Sequence, residues 1–378
     1  MSVFKSIMEY LTISFYKYTA IQNPQVVEHA LRHHCIANSI SGRILLGSEG
    51  INGAVSGKKE DVQQLKAELL SIPLFSDLTF REQEVTSSTY HKLVIRIRDE
   101  IVRFGSPVDL TKRGKYVSPQ ELKQWYDKKE EFIIVDARNR YEFDVGRFKN
   151  AIPMDIQNFR EFPQEAETLK QYQNKKIVLY CTGGIRCEKA TAYLTQQGFP
   201  NVYHVQGGII NYVNELPNTY WEGGLFVFDD RLVLDLGEPL TNCQHCEEKN
   251  SQYINCHNLD CDKLFICCDD CQKTMKKTCS QKCFEAPQQR EEKKRYETIG
   301  IIENYYPKAK TALINVKKPL CRNTTITIAG KTTPPFNQEI NQIRNNRNED
   351  TDSASAGEII TISVNQKVRR HDKIMLSY

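Results

Sequence analysis

The stretch Tyr180-Cys-Thr-Gly-Gly-Ile-Arg-Cys187 decides how the middle of this chain folds. The continuous apolar run at 176–180 ahead of it reads as a buried parallel strand. The pattern at 186–197 behind it reads as a helix. Between them lies a short loop with a cysteine at its first position and two glycines. Glycine lets a backbone curl until several amide N–H groups point inward. The N-terminus of the following helix adds partial positive charge at the same place. A thiolate held there is stabilised, so the spacing predicts a lowered pKa at Cys181. The same cradle suits a persulfide or an oxyanion, and Arg186 adds formal charge. Cys181 and Arg186 are the candidate catalytic residues. A buried structural cysteine is the plain alternative, since cysteine is among the most buried residue types. The loop context favours the reactive thiol. Cys187 either packs or serves a secondary redox role.

Outward from this loop, residues 118–216 alternate strand and helix as an α/β domain does. Ser118-Pro-Gln-Glu121 has the pattern of a helix start, with Ser118 as cap and Pro119 in the first turn. Residues 132–136 form a second apolar strand. Asp136 and Arg138 read as a structural pair supporting the loop. Trp221 and residues 226–228 read as packing residues. Arg160 reads as a phosphate contact in preference to a partner for Glu161.

Residues 10–105 give the order strand, helix, strand, strand, helix, strand. The strands are placed at 11–18, 43–47, 51–56 and 93–97, and the helices at 23–36 and 58–71. This is the order of a ferredoxin-like split unit, an α+β scaffold. Glu49-Gly-Ile-Asn-Gly53 is either a tight turn or an RNA-contacting loop, with Asn52 as the candidate contact.

The chain has 378 residues and 13 cysteines, nine of them between Cys243 and Cys283. Their spacing is Cys243-x-x-Cys246, Cys256-x4-Cys261, Cys267-Cys268-x-x-Cys271 and Cys279-x3-Cys283. Such pairs point to zinc. Two four-thiolate structural sites use Cys243, Cys246, Cys256, Cys261, Cys268, Cys271, Cys279 and Cys283, sparing Cys267. Interleaving, with pairs one and three on one ion and pairs two and four on the other, is one arrangement; the spacing fixes none. His245 and His257 are substitute ligands, and an iron–sulfur cluster is the other metal reading. Residues 217–285 form this Cys-rich segment, and the charged run 288–295 is a helix or linker. Residues 296–378 have β-branched runs at 299–302, 311–316, 324–328 and 359–364, with a polar loop at 345–355. They read as a small all-β barrel. The fold class is therefore multidomain, α+β followed by α/β, a Cys-rich zinc module and a β-barrel.

A net charge of +4 is small for this length. It permits nucleic-acid binding without arguing for it. No apolar run spans a bilayer, and residues 1–21 do not read as a signal peptide. The expectation is a cytoplasmic protein with no membrane partner, and nothing points to DNA.

Several motifs carry a family resemblance. The Cys181 loop resembles the active-site loop of rhodanese domains. Val135-Asp-Ala-Arg138, Tyr141-Glu-Phe143 and Gly146-Arg-Phe-Lys-Asn-Ala-Ile-Pro153 resemble that family's entry signature, with Arg147-Phe148 in place of its usual His-Ile. Gln206-Gly-Gly208 resembles its last turn. The match is closer to the bacterial tRNA uridine-34 hydroxylases. It is carried by Glu49–Gly53, Asn158-Phe-Arg-Glu-Phe-Pro163, Cys181-Thr-Gly-Gly-Ile-Arg-Cys-Glu-Lys189 and Trp221-Glu-Gly-Gly-Leu-Phe-Val-Phe-Asp-Asp-Arg231. The resemblance implies oxygen-dependent conversion of the wobble uridine to 5-hydroxyuridine, with Cys181 essential. It implies that the N-terminal unit and the rhodanese domain hold the anticodon stem-loop, with Arg160, Asn52 and Lys189 as candidate RNA contacts. Molecular oxygen would be the co-substrate; no flavin, haem or non-haem iron signature names the electron donor. From the residues alone, sulfur transfer through a persulfide is the simplest chemistry of such a loop, and an RNA-binding adaptor is the non-enzymatic reading. The C-terminal segment, with Gly300-Ile-Ile-Glu-Asn-Tyr-Tyr-Pro307 and Val368-Arg-Arg-His-Asp372, is similar to the second-domain barrel of translation elongation factors.

Overall fold

The computed structural model describes residues 8–286, 296–330 and 332–377. The charged run at 288–295 lies outside the described residues. The chain gathers into two compact units: residues 1–256 with 260–286, and residues 257–259 with 287–378.

The first unit opens with β1 (Tyr10–Tyr18), α1 (Pro24–Ala37), β2 (Ser41–Gly47), β3 (Gly50–Lys58), α2 (Lys59–Ser71), β4 (Phe80–Val85) and β5 (Leu93–Ile97). The sheet order is β4-β1-β3-β2-β5. The first four strands are the split βαβ arrangement. The closing strand is β4, not residues 93–97 as expected. Phe80-Arg-Glu-Gln-Glu-Val85 is an edge strand with no apolar alternation to reveal it. β5 instead adds to the opposite edge, parallel to β2. One face of the sheet buries Ile13, Phe15, Ile44, Leu46, Ile51 and Val55 against the two helices. Neither of these two helices covers the other face, and it is the face that matters for the site.

A second, parallel sheet follows. Its elements are β6 (Lys115–Val117), α3 (Pro119–Asp127), β7 (Ile133–Asp136), α4 (Arg140–Val145), β8 (Gly146–Phe148), β9 (Ile152–Pro153), α5 (Phe162–Glu165), β10 (Ile177–Tyr180), α6 (Ile185–Gln196), β11 (Val202–Val205) and α7 (Gly208–Glu215). The order is β6-β11-β10-β7-β9, every pair parallel. Ser118 caps α3 through a bond from Glu121 N at 3.1 Å, as its sequence predicts. Alternation along β10 sorts the side chains: Ile177 and Leu179 enter the layer containing α5 and α6, while Val178 and Tyr180 enter the opposite layer. Cys181 continues the alternation and joins the α6 side.

Asp136 and Arg138, both 0% exposed, form a buried pair at the end of β7. Arg138 Nε lies 2.9 Å from Asp136 Oδ1, Nη2 lies 2.6 Å from Oδ2, and Nη2 also donates to Gly146 O. The guanidinium lies over the rings of Tyr180 and Trp221. Trp221 packs, as expected, edge-on to Phe148.

After α7 come β12 (Trp221–Gly223), β13 (Leu225–Phe226) and β14 (Val233–Leu234), the last two a hairpin. The Cys-rich segment has only short elements, and its core is made of cysteines around Phe265.

In the second unit the described residues form an eight-stranded sheet, antiparallel throughout its described pairings, and a two-stranded ribbon. Its long strands are Tyr296–Tyr306, Thr311–Val316, Ile359–Ser363 and Lys373–Ser377. One apolar cluster includes Ile328 and Ile343, from strands near opposite ends of the sheet order, so the sheet curls around it. The stretch 345–355, expected as a plain loop, contains strands Asp350–Thr351 and Ser353–Ala354. Their pairing rests on backbone and polar ties such as Gln342 Nε2 to Asp350 Oδ1 at 2.8 Å, which leave no apolar pattern in the sequence. No helix among the described residues is long and apolar enough to cross a membrane.

Candidate active site and thiolate clusters

β10 delivers Cys181 to the point where α6 begins. Gly184, the N-cap residue, has φ 96, a conformation glycine adopts without strain. A Cβ there would also lie 2.9 Å from the Tyr16 hydroxyl. The resulting turn aims Gly184 N at Cys181 Sγ, 3.1 Å away. Cys181 is 0% exposed. Burial pushes its thiol up. A hydrogen bond from the Cys187 thiol, the Arg186 charge and the amides of Cys187 and Arg186 outweigh it and hold the pKa down to about 6. Burial pushes the Cys187 thiol well up, and its bond to Cys181 adds to that. Cys187 is thus a proton donor to the neighbouring sulfur.

Arg186 is fixed by a partner that the sequence does not reveal. Its Nη1 and Nη2 lie 2.7 and 2.8 Å from the two oxygens of Glu142, which is 0% exposed. Thr182 Oγ1 joins both groups at 3.2 Å. Glu142 is also N3 of the capping box of α4, closed on Asn139. Burial favours the neutral acid, but Arg186 holds Glu142 below the usual carboxylate range.

The face of the N-terminal sheet away from α1 and α2 reaches the start of α6 through Tyr16, where Tyr116 and Arg113 of the second domain join it. The hydroxyls of Tyr16 and Tyr116 lie 3.1 and 2.8 Å from Glu188 Oε1, and Arg113 lies 3.3 Å from Oε2. Arg81 Nε donates to Gly207 O at 2.8 Å.

Lys189, expected to touch RNA, does not have the freedom to do so. It is 2% exposed. Its ammonium meets Glu49 at 3.0 Å, Glu100 at 2.7 Å and Val102 O at 3.0 Å, using all three donors. It ties α6 to the N-terminal domain. Asn52 is half-buried and donates to Ile101 O at 3.0 Å, so the Glu49–Gly53 turn is at least in part an anchor. Arg160 is exposed. Phe228, expected to pack, is 57% exposed.

The cysteines converge in two groups, Cys243, Cys246, Cys268 and Cys271, and Cys256, Cys261, Cys279 and Cys283, with the sulfurs of each group within 4.8 Å of one another. This is the interleaved arrangement, with Cys267 outside both groups. His245 is turned to Thr278 O at 2.9 Å. Burial and then the neighbouring thiols push Cys279 up to about 12. Four thiols this close resist joint ionisation unless a cation neutralises them. Each group can therefore hold a metal ion.

Family models match in chain order. They are the UPF0176 acylphosphatase like domain over residues 10–101, the Rhodanese-like domain over 118–215, the Rhodanase C-terminal over 222–284 and the Peptidase family U32 C-terminal domain over 294–374. The last covers the segment whose sequence is similar to a translation-factor barrel. A tRNA uridine(34) hydroxylase of Chlamydia felis is 39% identical over 290 residues, 74% of this chain and 88% of that protein. That of Chlamydia trachomatis serovar D is 38% identical with the same coverage. This chain belongs to the tRNA uridine(34) hydroxylase family. Among solved structures, a rhodanese-like domain protein from Staphylococcus aureus is 29% identical, with 26% of this chain and 90% of that chain covered and a TM-score of 0.23.

The cradle predicts how Cys181 reacts. Alkylation of the Cys181 peptide by iodoacetamide, followed by mass spectrometry, should rise with pH through a midpoint near 6. Cys187→Ala should move that midpoint up, because the thiolate loses a donor. A midpoint at the ordinary thiol value in the native protein would contradict this geometry.

Proposed function

We infer that this protein hydroxylates uridine-34 of tRNA to 5-hydroxyuridine and that Cys181 is its working nucleophile. The observation that carries the reading is the Cys181 thiolate cradle, in a chain whose family members are named tRNA uridine(34) hydroxylase. A thiolate can add to C6 of a uracil ring, forming a C–S bond while the C5–C6 electron pair moves toward C5 and the C4 carbonyl. C5 then becomes electron-rich toward an oxidant; once C5 carries the hydroxyl, loss of the C5 proton breaks the C6–S bond, which restores the C5–C6 double bond and frees the Cys181 thiolate. Molecular oxygen is the co-substrate in this reading: one atom enters the C5–H bond and the other leaves as water, with two electrons and two protons drawn from a donor. The Cys187 thiol and the Arg186 charge keep Cys181 ionised, and Arg186 is itself held by Glu142. The anticodon stem-loop is the part of tRNA that presents this base, and we assign exposed Arg160 as a contact to its backbone.

We assign one zinc ion to each four-cysteine group, Cys243, Cys246, Cys268 and Cys271 for one and Cys256, Cys261, Cys279 and Cys283 for the other. A closed set of four thiolates leaves no open position, so the role is structural. Bound zinc would supply a cross-link in a segment whose core is otherwise made of thiols.

Two measurements check these assignments. In cells lacking the protein, and lacking any second route to the nucleoside, 5-hydroxyuridine derivatives should vanish from digested tRNA and return with the native protein but not with Cys181→Ser. Unchanged nucleosides would refute the reading, and loss of thiolated nucleosides instead would indicate sulfur transfer. Metal analysis of purified protein should give about two zinc per chain. Cys268→Ser should lose about one ion and Cys267→Ser none. Equal loss from both would refute the ligand assignment.

A further inference from the structure

The hairpin of β13 and β14 carries an aromatic ring to the cysteine loop. Phe228 stands in its connection, 57% exposed. Its ring centroid lies 5.6 Å from the Arg186 guanidinium and 5.3 Å from that of buried Phe226. A single exposed apolar side chain is ordinary. This one is held in place from several sides. Val227 N bonds Leu232 O at 2.8 Å, and Asp230 N bonds Thr89 O at 2.9 Å. Arg231 bonds Asp229 at 2.9 Å and Gln83 at 2.8 Å. The ring is therefore presented on a braced tip, with part of its surface on the Arg186 guanidinium and the rest open.

The sheet beneath supplies charge. Along β1, Tyr16 meets the cysteine loop through Glu188. Thr12 meets Thr89, the residue that braces the hairpin, at 3.0 Å. Four residues of strand separate Tyr16 from Thr12, about 13 Å. Between them lies Ser14, opposite Ala54, which in turn lies opposite Arg43. Leu45, two residues along β2 from Arg43, lies opposite Arg96. Cross-strand partners share a face, so Arg43 and Arg96 belong to the same face as Tyr16, the one away from α1 and α2. Both are exposed, and neither guanidinium makes an ion pair or hydrogen bond to another described residue.

We propose that the open face of Phe228 is the stacking platform for the pyrimidine brought to Cys181, and that Arg43 and Arg96 take the phosphates flanking it. The partner is a single-stranded RNA segment with an unstacked base: an aromatic platform beside unpaired arginines on a sheet face suits a base and its backbone together. The proposal rests on the tRNA hydroxylase reading and names the surface through which that activity would select its base.

The test compares binding of the full-length protein to anticodon stem-loop RNA carrying either uridine or an abasic site at position 34. The native protein should prefer the uridine RNA by about tenfold. Phe228→Leu should erase that preference, Phe228→Trp should keep it, and both should retain the native pH midpoint of Cys181 alkylation. Arg43→Gln should weaken both RNAs alike and lower the salt dependence by about one ion. A Phe228→Leu protein that still prefers uridine overturns the platform while leaving the hydroxylase reading intact. A shifted alkylation midpoint in that variant makes the ring a cover for Arg186 and overturns it too. A native protein that binds neither RNA refutes the underlying reading and the proposal with it.

Discussion

A carboxylate and a guanidinium, both buried, meet beside a buried sulfur. The pair Glu142–Arg186 is the constraint around which the centre of the molecule is arranged. Removing one partner of a buried pair costs about 3–5 kcal/mol, because the other charge is left in a poor dielectric. Here the hydrogen bond from the Cys187 thiol, then the Arg186 charge and the amides at the start of α6, favour the thiolate. Lowering a thiol from 9.0 to about 6 corresponds to roughly 4 kcal/mol in favour of the charged form. Helix α4 exists to hold Glu142: its capping box on Asn139 fixes the residue that Arg186 needs. The Asp136–Arg138 pair fixes the end of β7, which is hydrogen-bonded to the end of β10.

The N-terminal sheet belongs to this arrangement as much as the parallel sheet does. Lys189 has its charge balanced by Glu49 and Glu100. Glu188, the residue before it in the same helix, is met by Tyr16, Tyr116 and Arg113. One helix thus alternates a cation and an anion, each answered from outside it. A thiol acting on thiosulfate-sized molecules has no need of a second sheet at its mouth. A substrate as large as RNA has.

Local chemistry was legible in the sequence and distant pairing was not. Cys181 and Arg186 stand in one loop whose glycines announce its shape. The four close cysteine pairs were legible from their spacing, and Cys267 was spared because Cys268 keeps the Cys-x-x-Cys spacing with Cys271; which pair joins which was left open by the spacing and is decided by the fold, since Cys243 and Cys268 stand 25 positions apart. Glu142 lies 44 positions from Arg186, and no periodicity links them. Lys189 resembles any solvent-facing lysine until its three acceptors are seen. Phe228 sits in an apolar run that suggests packing, whereas the hairpin turns it outward. β4 escaped notice because an edge strand needs no apolar alternation, and the polar strands between 350 and 354 escaped for the same reason.

The most direct measurement is the pH dependence of 5-hydroxyuridine formation by the purified protein on tRNA, set beside the same profile for Cys187→Ala. If the cradled thiolate does the work, the rate rises with pH through the Cys181 ionisation near 6, and removing the Cys187 donor moves that rise to higher pH. A rate that is flat through this region, or a rise that stays in place when Cys187 is replaced, would contradict the account.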